Sequence, residues 1–495
     1  MEFDRASGIL LHPTSLPSRY GIGDIGTEAK KFIDFLKKSK QSLWQILPIN
    51  PPGYGYSPYQ CFSAFAGNEL LISIDGLIAE GLLSENEKKD LPQFNKERVE
   101  FDRVKVFKER LYKIAFNNFN SAQINNEYNQ FVTKYEIWLE NYALFMALKE
   151  YFDGLPWNHW EESIAFRDKE AIERYKNLLH EKIEYYKFLQ YIFYSQWEEL
   201  KEYGDVNGIK IIGDIPIYVS YDSSDVWANP RLFKLDELGN PRKVAGVPPD
   251  YFSATGQLWG NPIYKWKEME KDDYGWWRER FKNLLELVHI IRVDHFRGFE
   301  SYWEVPGGEK TAVKGKWVKG PGAKFFSTVS KYLGDLPVIA EDLGIITPEV
   351  TELRKKFNFP GMRVLQFEFE SGMENEYFPY IHEENTVVYT GTHDNDTTVG
   401  WYKKRIKAKE FFNRYLSQET NLDEKDICWY LIKYALKSKA NIAIIPLQDI
   451  FCLDSHARMN EPGTITGNWE WRFQKDVLTE EIAEKLKELT IIYNR

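Results

Sequence analysis

Eight short apolar runs, each closing on small or polar residues, constrain this chain more than any other feature in it. They are SGILLHP (7–13), LWQILPIN (43–50), IKIIGDIPIYV (209–219), IIRVDHF (290–296), PVIAEDLG (337–344), MRVLQFEF (362–369), NTVVYTGTHDN (385–395) and NIAIIPLQD (441–449). Runs of this length, rich in β-branched residues and apolar at consecutive positions, are what strands buried on both faces require. Helix-forming stretches separate them, as parallel strands with crossover helices demand. Eight strand–helix units are the count of an α/β fold of the (β/α)8 TIM barrel type. A doubly wound open sheet is the competing arrangement, but neither GxGxxG nor GxxxxGK[ST] follows the first run.

The spacing of the runs is uneven. About 160 residues separate the second from the third, far more than one crossover needs. Residues 85–205 are rich in Glu, Lys, Leu, Tyr and Phe and poor in Gly and Pro, and segments such as EYYKFLQYIFYSQWEELKEY read as amphipathic helices. The expected organisation is therefore barrel strands 1–2 over residues 1–75, a mostly helical insertion over 76–205, and strands 3–8 over 206–495, with a loop-rich insertion at about 220–285. Three cysteines, Cys61, Cys428 and Cys452, are too few for a disulfide framework and point to a reduced, intracellular setting. A net charge of −10 argues against nucleic acid or an anionic membrane as partner. No apolar stretch is long enough to span a bilayer, and the first residues do not read as a signal peptide.

In a barrel, functional side chains project from the C-terminal strand ends. Here those ends carry Asp214, Asp294, Glu341 with Asp342, the run His393-Asp394-Asn395-Asp396, and Asp449. Taken singly, Asp342, Asp396 and Asp449 read equally well as helix caps or turn residues. The recurrence of carboxylates beside Arg292, His295 and His393 is harder to explain by capping. Clustered carboxyls cannot all ionise freely, so one becomes an acid while another beside an arginine stays charged. That pair of roles is what glycoside cleavage needs. Metal binding is the alternative use of His393, Asp394 and Asp396, although no HxH or HExxH spacing accompanies them.

Aromatic residues make up 16% of the chain, with 16 Trp and 30 Tyr. Much of this must be core. Tyr54, Tyr56, Tyr59 and Trp259, however, stand in the Gly-rich segments GYGYSPYQ (53–60) and SATGQLWGNPIYKW (253–266). Flat rings with a polar handle on such loops suit sugar rings, whose faces are apolar and whose rims are hydroxyls.

SGILLHPTSLPSRYGIGDIG, QILPINPPGYGYSPYQ, GDIPIYV, IRVDHFRGFESYWEVP, WVKGPG, IAEDLGIITPEV, PGMRVLQFEF and YTGTHDNDTTVGW together resemble glycoside hydrolase family 77, the 4-α-glucanotransferase branch of the α-amylase clan, from about residue 5 to residue 475. The resemblance implies transfer of α-1,4-glucan segments between maltose, maltotriose and longer maltodextrins, including starch or glycogen, without cofactor or metal. It implies Asp294 as nucleophile, Glu341 as general acid/base and Asp394 as the carboxylate that stabilises the distorted sugar. Arg292 would keep Asp294 ionised. Asp214, His295 and His393 would bind hydroxyls of the cleaved residue, and Tyr59 would stack on it. Trp259, Tyr54, Gln257 and Asn460 are further expected glucan contacts. Two displacements imply carboxyls about 5–5.5 Å apart. Segments 53–60 and 250–264 are candidates for a cover that keeps water from the intermediate. Arg297 reads as structural, pairing with a strand-end carboxylate. Two rivals share much of this pattern: an α-glucan hydrolase of the same clan, and a non-catalytic glucan-binding protein on the same barrel.

Overall fold

The computed structural model describes residues 3–121, 126–249, 253–370, 383–405 and 424–495. Its centre is an eight-stranded parallel sheet rolled into a nearly closed barrel. The strands are β1 (Ala6–Leu10), β2 (Leu43–Gln45), β3 (Lys210–Pro216), β4 (Ile290–Asp294), β5 (Val338–Ala340), β6 (Gly361–Val364), β7 (Thr386–Tyr389) and β8 (Ile442–Pro446). Each overlaps one of the eight apolar runs, β1 and β6 beginning one residue before theirs. The hydrogen-bonded order is β6-β7-β8-β1-β2-β3-β4-β5. The β5–β6 seam is bridged by Ala340 N donating to the Pro360 carbonyl at 2.9 Å.

The helices wrap this barrel with amphipathic logic. In the helix Thr27–Lys38 the buried residues are Ala29, Phe32, Ile33, Phe35 and Leu36, while Glu28 opens it and Lys37 and Lys38 close it, the charge order its dipole favours. Inside the barrel, space is short. A Cβ on Gly8 would come within 2.4 Å of the Leu43 Cβ, so β1 and β2 approach as they do only because residue 8 has no side chain.

Between β2 and β3 stand the helices Phe101–Ser121, Asn126–Lys134, Glu136–Tyr151, Lys169–Leu178 and His180–Val206. Their core is continuous with that of the barrel. The longest helix also fixes the segment that follows β2: Gln190 accepts from Gly67 N at 2.7 Å and donates to its carbonyl at 2.9 Å. Such a two-point amide pairing with backbone fixes orientation as well as position.

The 220–285 stretch holds more regular structure than its Gly and Pro content suggests. Lys243–Val247 and Gln257–Pro262 pair antiparallel and are joined by Ser301–Pro306 and Lys316–Lys319 from beyond β4. This four-stranded sheet stands beside the barrel mouth and carries Trp259 and Trp317. Residues 250–252 of the expected 250–264 cover lie outside the described residues. Among the described residues no helix is long and apolar enough to cross a membrane.

Candidate active site

Strand register assembles the site. Asp214 on β3 pairs laterally with Arg292 on β4, and Val293 pairs with Ala340 on β5. Paired residues in a parallel sheet share a face, and residues two apart along a strand share it too. Asp214, Arg292 and Asp294 therefore point into the barrel mouth. Glu341, one step beyond Ala340, stands beside Asp294. Neighbouring strands run about 4.8 Å apart, so the two residues leave the sheet a single interstrand step from each other.

Arg292 is the charge centre of this group. It is 4% exposed and donates through Nη1 to Asp214 Oδ2 at 2.6 Å and to Asp294 Oδ1 at 3.1 Å. Its neighbours Asp214 and Asp294 hold it charged far beyond any working pH, against its burial. Asp214 also accepts from the Tyr59 hydroxyl at 2.8 Å, while its buried Oδ1 has no hydrogen-bond partner among the described residues. Burial raises the Asp214 carboxyl to about 7, with Arg292 opposing and Asp294 adding to the rise.

Glu341 is held from two sides. Its Oε2 accepts from the His295 backbone N–H at 2.7 Å and its Oε1 from Leu343 N at 2.9 Å. The first bond depends on an unusual conformation. His295 lies in the left-handed region at φ 51°, where few residues other than glycine sit without strain. Burial first, and the Asp294 charge second, push the Glu341 carboxyl up to about 7, while Arg292 and the two N–H donors work against the rise. The His295 imidazole is driven down to about 3 by burial and by Arg297, so it is neutral. Trp259 meets it edge to face at 4.8 Å.

Asp394 comes from the turn after β7. Its Oδ1 accepts from Asn460 Nδ2 at 2.6 Å, and its carbonyl accepts from Arg458 Nη2 at 2.7 Å. Asn460 N also donates to the His393 carbonyl at 3.1 Å. Segment 458–460 thus clamps the turn that presents His393 and Asp394. The Tyr59 ring stacks on His393 at 5.1 Å, and Trp469 packs against both. Burial lowers the His393 pKa, outweighing the Asp394 charge.

Tyr59, Asp214, Arg292, Asp294, His295, Glu341, His393, Asp394, Trp259 and Asn460 are thus linked by direct contacts into one rim. Gln257 joins its edge, accepting from Trp259 Nε1 at 3.2 Å. Tyr54 stands apart, 76% exposed. Asn460, an expected glucan contact, donates its amide to Asp394.

The ambiguous carboxylates have structural partners. Asp342 turns outward, accepting from Met362 N at 2.7 Å and pairing with Arg354 at 3.2 Å. Asp449 accepts from Thr398 N and from the Thr390 and Thr398 hydroxyls. Asp396 pairs with Lys404 and Ser455, away from Asp394, and among the described residues no three His, Cys, Asp or Glu side chains gather as a metal-ligand set. Arg297 contacts the Ile345 and Ser301 carbonyls, the Ser301 hydroxyl and the Trp317 ring, where the sequence suggested a strand-end carboxylate.

Sequence reading missed Arg458, Trp469 and His12. His12 follows β1 by two residues, and burial together with His393 pushes it down to about 3. Its strand-end position was a usable signal. Arg458 and Trp469 offered none, because they reach the site from a loop more than 60 residues beyond Asp394.

Comparison with known proteins gives a consistent result. The profile of glycoside hydrolase family 77, described as 4-alpha-glucanotransferase, matches residues 11–479. A 4-alpha-glucanotransferase of Synechocystis is 50% identical over 99% of this chain and 98% of its own length. That of Thermus thermophilus is 47% identical over 98% of each. The structure of amylomaltase from Streptococcus agalactiae in complex with acarbose superposes with a TM-score of 0.95, at 40% identity over 99% of both chains. An amylomaltase from Corynebacterium glutamicum, 17% identical, shares the fold with a TM-score of 0.80 over 98% of this chain and 75% of that one.

Proposed function

The chain belongs to glycoside hydrolase family 77, and from that premise we propose how its strand ends carry out 4-α-glucan transfer. The observation that carries the reading is the pairing of Asp294 with Glu341 on neighbouring strands, one beside Arg292 and the other held near neutrality. A retaining glycosidase needs such a pair.

Glu341, protonated, gives its proton to the glycosidic oxygen as Asp294 attacks the anomeric carbon. The C–O bond breaks, the departing chain keeps the electron pair, and a β-glycosyl ester forms on Asp294. Esterification removes the Asp294 charge. That charge is one cause of the raised Glu341 pKa, so Glu341 becomes a better carboxylate just when a base is required. It takes the proton from the 4-hydroxyl of an incoming glucan, which displaces Asp294 and restores the α linkage.

Asp394, aimed by Asn460 and backed by Arg458, is the carboxylate set against the cationic sugar. Tyr59 with His393 forms a flat wall for the ring. The orphaned Asp214 Oδ1 is an acceptor ready for a sugar hydroxyl, since a buried acceptor without a donor is costly. Trp259 and His295 close the neighbouring side. Tyr54 would reach only more distant units of a long glucan. No residue in this scheme calls for a cofactor. We place the reaction in the cytoplasm, in line with the absence of any disulfide among the described cysteines.

Incubation with maltotriose tests the reading. A transferase yields glucose together with maltodextrins longer than the substrate. A hydrolase yields shorter products only.

A further inference from the structure

The WVKGPG segment takes no part in the scheme above, yet it stands beside it. Trp317 is 39% exposed on the outermost strand of the antiparallel sheet. Its ring is held in place from two directions. The Arg297 guanidinium lies 3.8 Å from the ring centroid, and Trp303 meets it edge to face at 5.2 Å. Arg297 is buried at 4% exposure, three residues beyond Asp294. It also donates to the Ile345 carbonyl, and Ile345 is 51% exposed, four residues beyond Glu341. One buried arginine thus ties an exposed aromatic ring and an exposed aliphatic side chain to the loop that carries the acid/base.

The position of this patch relative to the reaction is informative. Tyr59, Asp214 and His393 form one contacting group at the ends of β2, β3 and β7. Glu341, which follows β5, protonates the oxygen of the departing chain, so that chain lies toward Glu341 and the loop after it. Exposed apolar side chains at a cleft rim mark binding sites more often than chance exposure does. A flat ring held rigidly by an arginine and a tryptophan loses little entropy on stacking with a sugar face.

We propose that Trp317, flanked by Ile345, is the stacking platform for glucose units of the departing and incoming α-1,4-glucan beyond the unit that forms the bond. The proposal rests on the transferase reading and adds a site that favours oligosaccharide over glucose or water as acceptor.

The test uses α-maltosyl fluoride as donor, because fluoride leaves the departing-chain side empty and only the acceptor reads it. Transfer rates are measured to glucose and to maltotriose. In Trp317→Leu the ratio of kcat/KM for maltotriose to that for glucose falls about tenfold, the scale of losing one aromatic–sugar stack, while Trp317→Phe restores most of it. An unchanged ratio in Trp317→Leu overturns the proposal, and so does an equal loss for both acceptors and for fluoride hydrolysis, since that would make Trp317 a mere prop for Arg297. If the wild type transfers to neither acceptor and only releases free sugar, it is the transferase reading that fails.

Discussion

Replacing Arg292 by Met probes the charge arrangement at its centre. The guanidinium is 4% exposed and bonded to Asp214 at 2.6 Å and Asp294 at 3.1 Å. Methionine fills much of its volume but leaves two carboxyls facing each other without a cation. Breaking a buried pair on one side costs about 3–5 kcal/mol. An unfolding entropy of about 2.1 cal/mol/K per residue over the whole chain amounts to about 1 kcal/mol/K, so the unfolding midpoint falls by about 3–5 °C at about pH 8. The pH dependence follows from the sign of the shift. Asp214 in the folded protein already titrates at about 7, above the roughly 3.9 of an unfolded Asp. Loss of Arg292 raises it further. A carboxyl whose folded pKa is raised costs nothing well below its unfolded pKa and most above its folded pKa. Below about pH 7 Asp214 is largely protonated in both proteins, so the gap between them is small there and widens as pH rises beyond it. Thermal unfolding of both proteins followed by circular dichroism at about pH 5.5 and pH 8.5 measures this directly. A gap that is absent, or equal at the two pH values, would refute the charge arrangement described here.

Three further outcomes follow from the same contacts. In the proposed scheme Glu341 carries its proton into the first step, and its carboxyl is raised to about 7, so kcat/KM for maltodextrin declines as pH rises through that value, which an initial-rate series reads. Arg458→Ala lets the Asp394 turn relax; losing a charged hydrogen bond of about 1.5–3 kcal/mol lowers kcat roughly 10- to 150-fold, with KM little changed and partial recovery in Arg458→Lys. Arg495 donates to the carbonyls of Ala6, Ala435, Leu436, Ser438 and Asn441, so Arg495→Ala frays the seam between β1 and β8 and lowers the unfolding midpoint by about 2–3 °C at unchanged KM.

The barrel was readable because its strands are buried on both faces, which forces consecutive apolar residues, and because their polar ends mark where each strand leaves the core. The same rule located Asp294 and Glu341. The antiparallel sheet escaped notice because strands such as KVAGV and QLWGNP are short and carry Gly or Pro, so they offer no periodicity to read. Asp342 was ambiguous for a different reason. A carboxylate one position from an inward residue points to the opposite face, and only register separates Glu341 from Asp342. Arg458 and Trp469 complete the site through contacts distant in sequence, which no local pattern encodes. His295 illustrates a further limit: histidine is over-represented in the left-handed region, but no sequence pattern here singles out which residue adopts it and aims its N–H at Glu341.

The measurement that tests the central claim most directly is covalent trapping on Glu341→Gln. A fluoride donor needs no acid to leave, so the first displacement proceeds, whereas the missing base stalls the second. Mass spectrometry of peptides from the variant treated with α-maltosyl fluoride is predicted to find one maltosyl unit esterified to Asp294. A label on any other residue, or steady turnover with no labelled peptide, would contradict the assignment of Asp294 and Glu341.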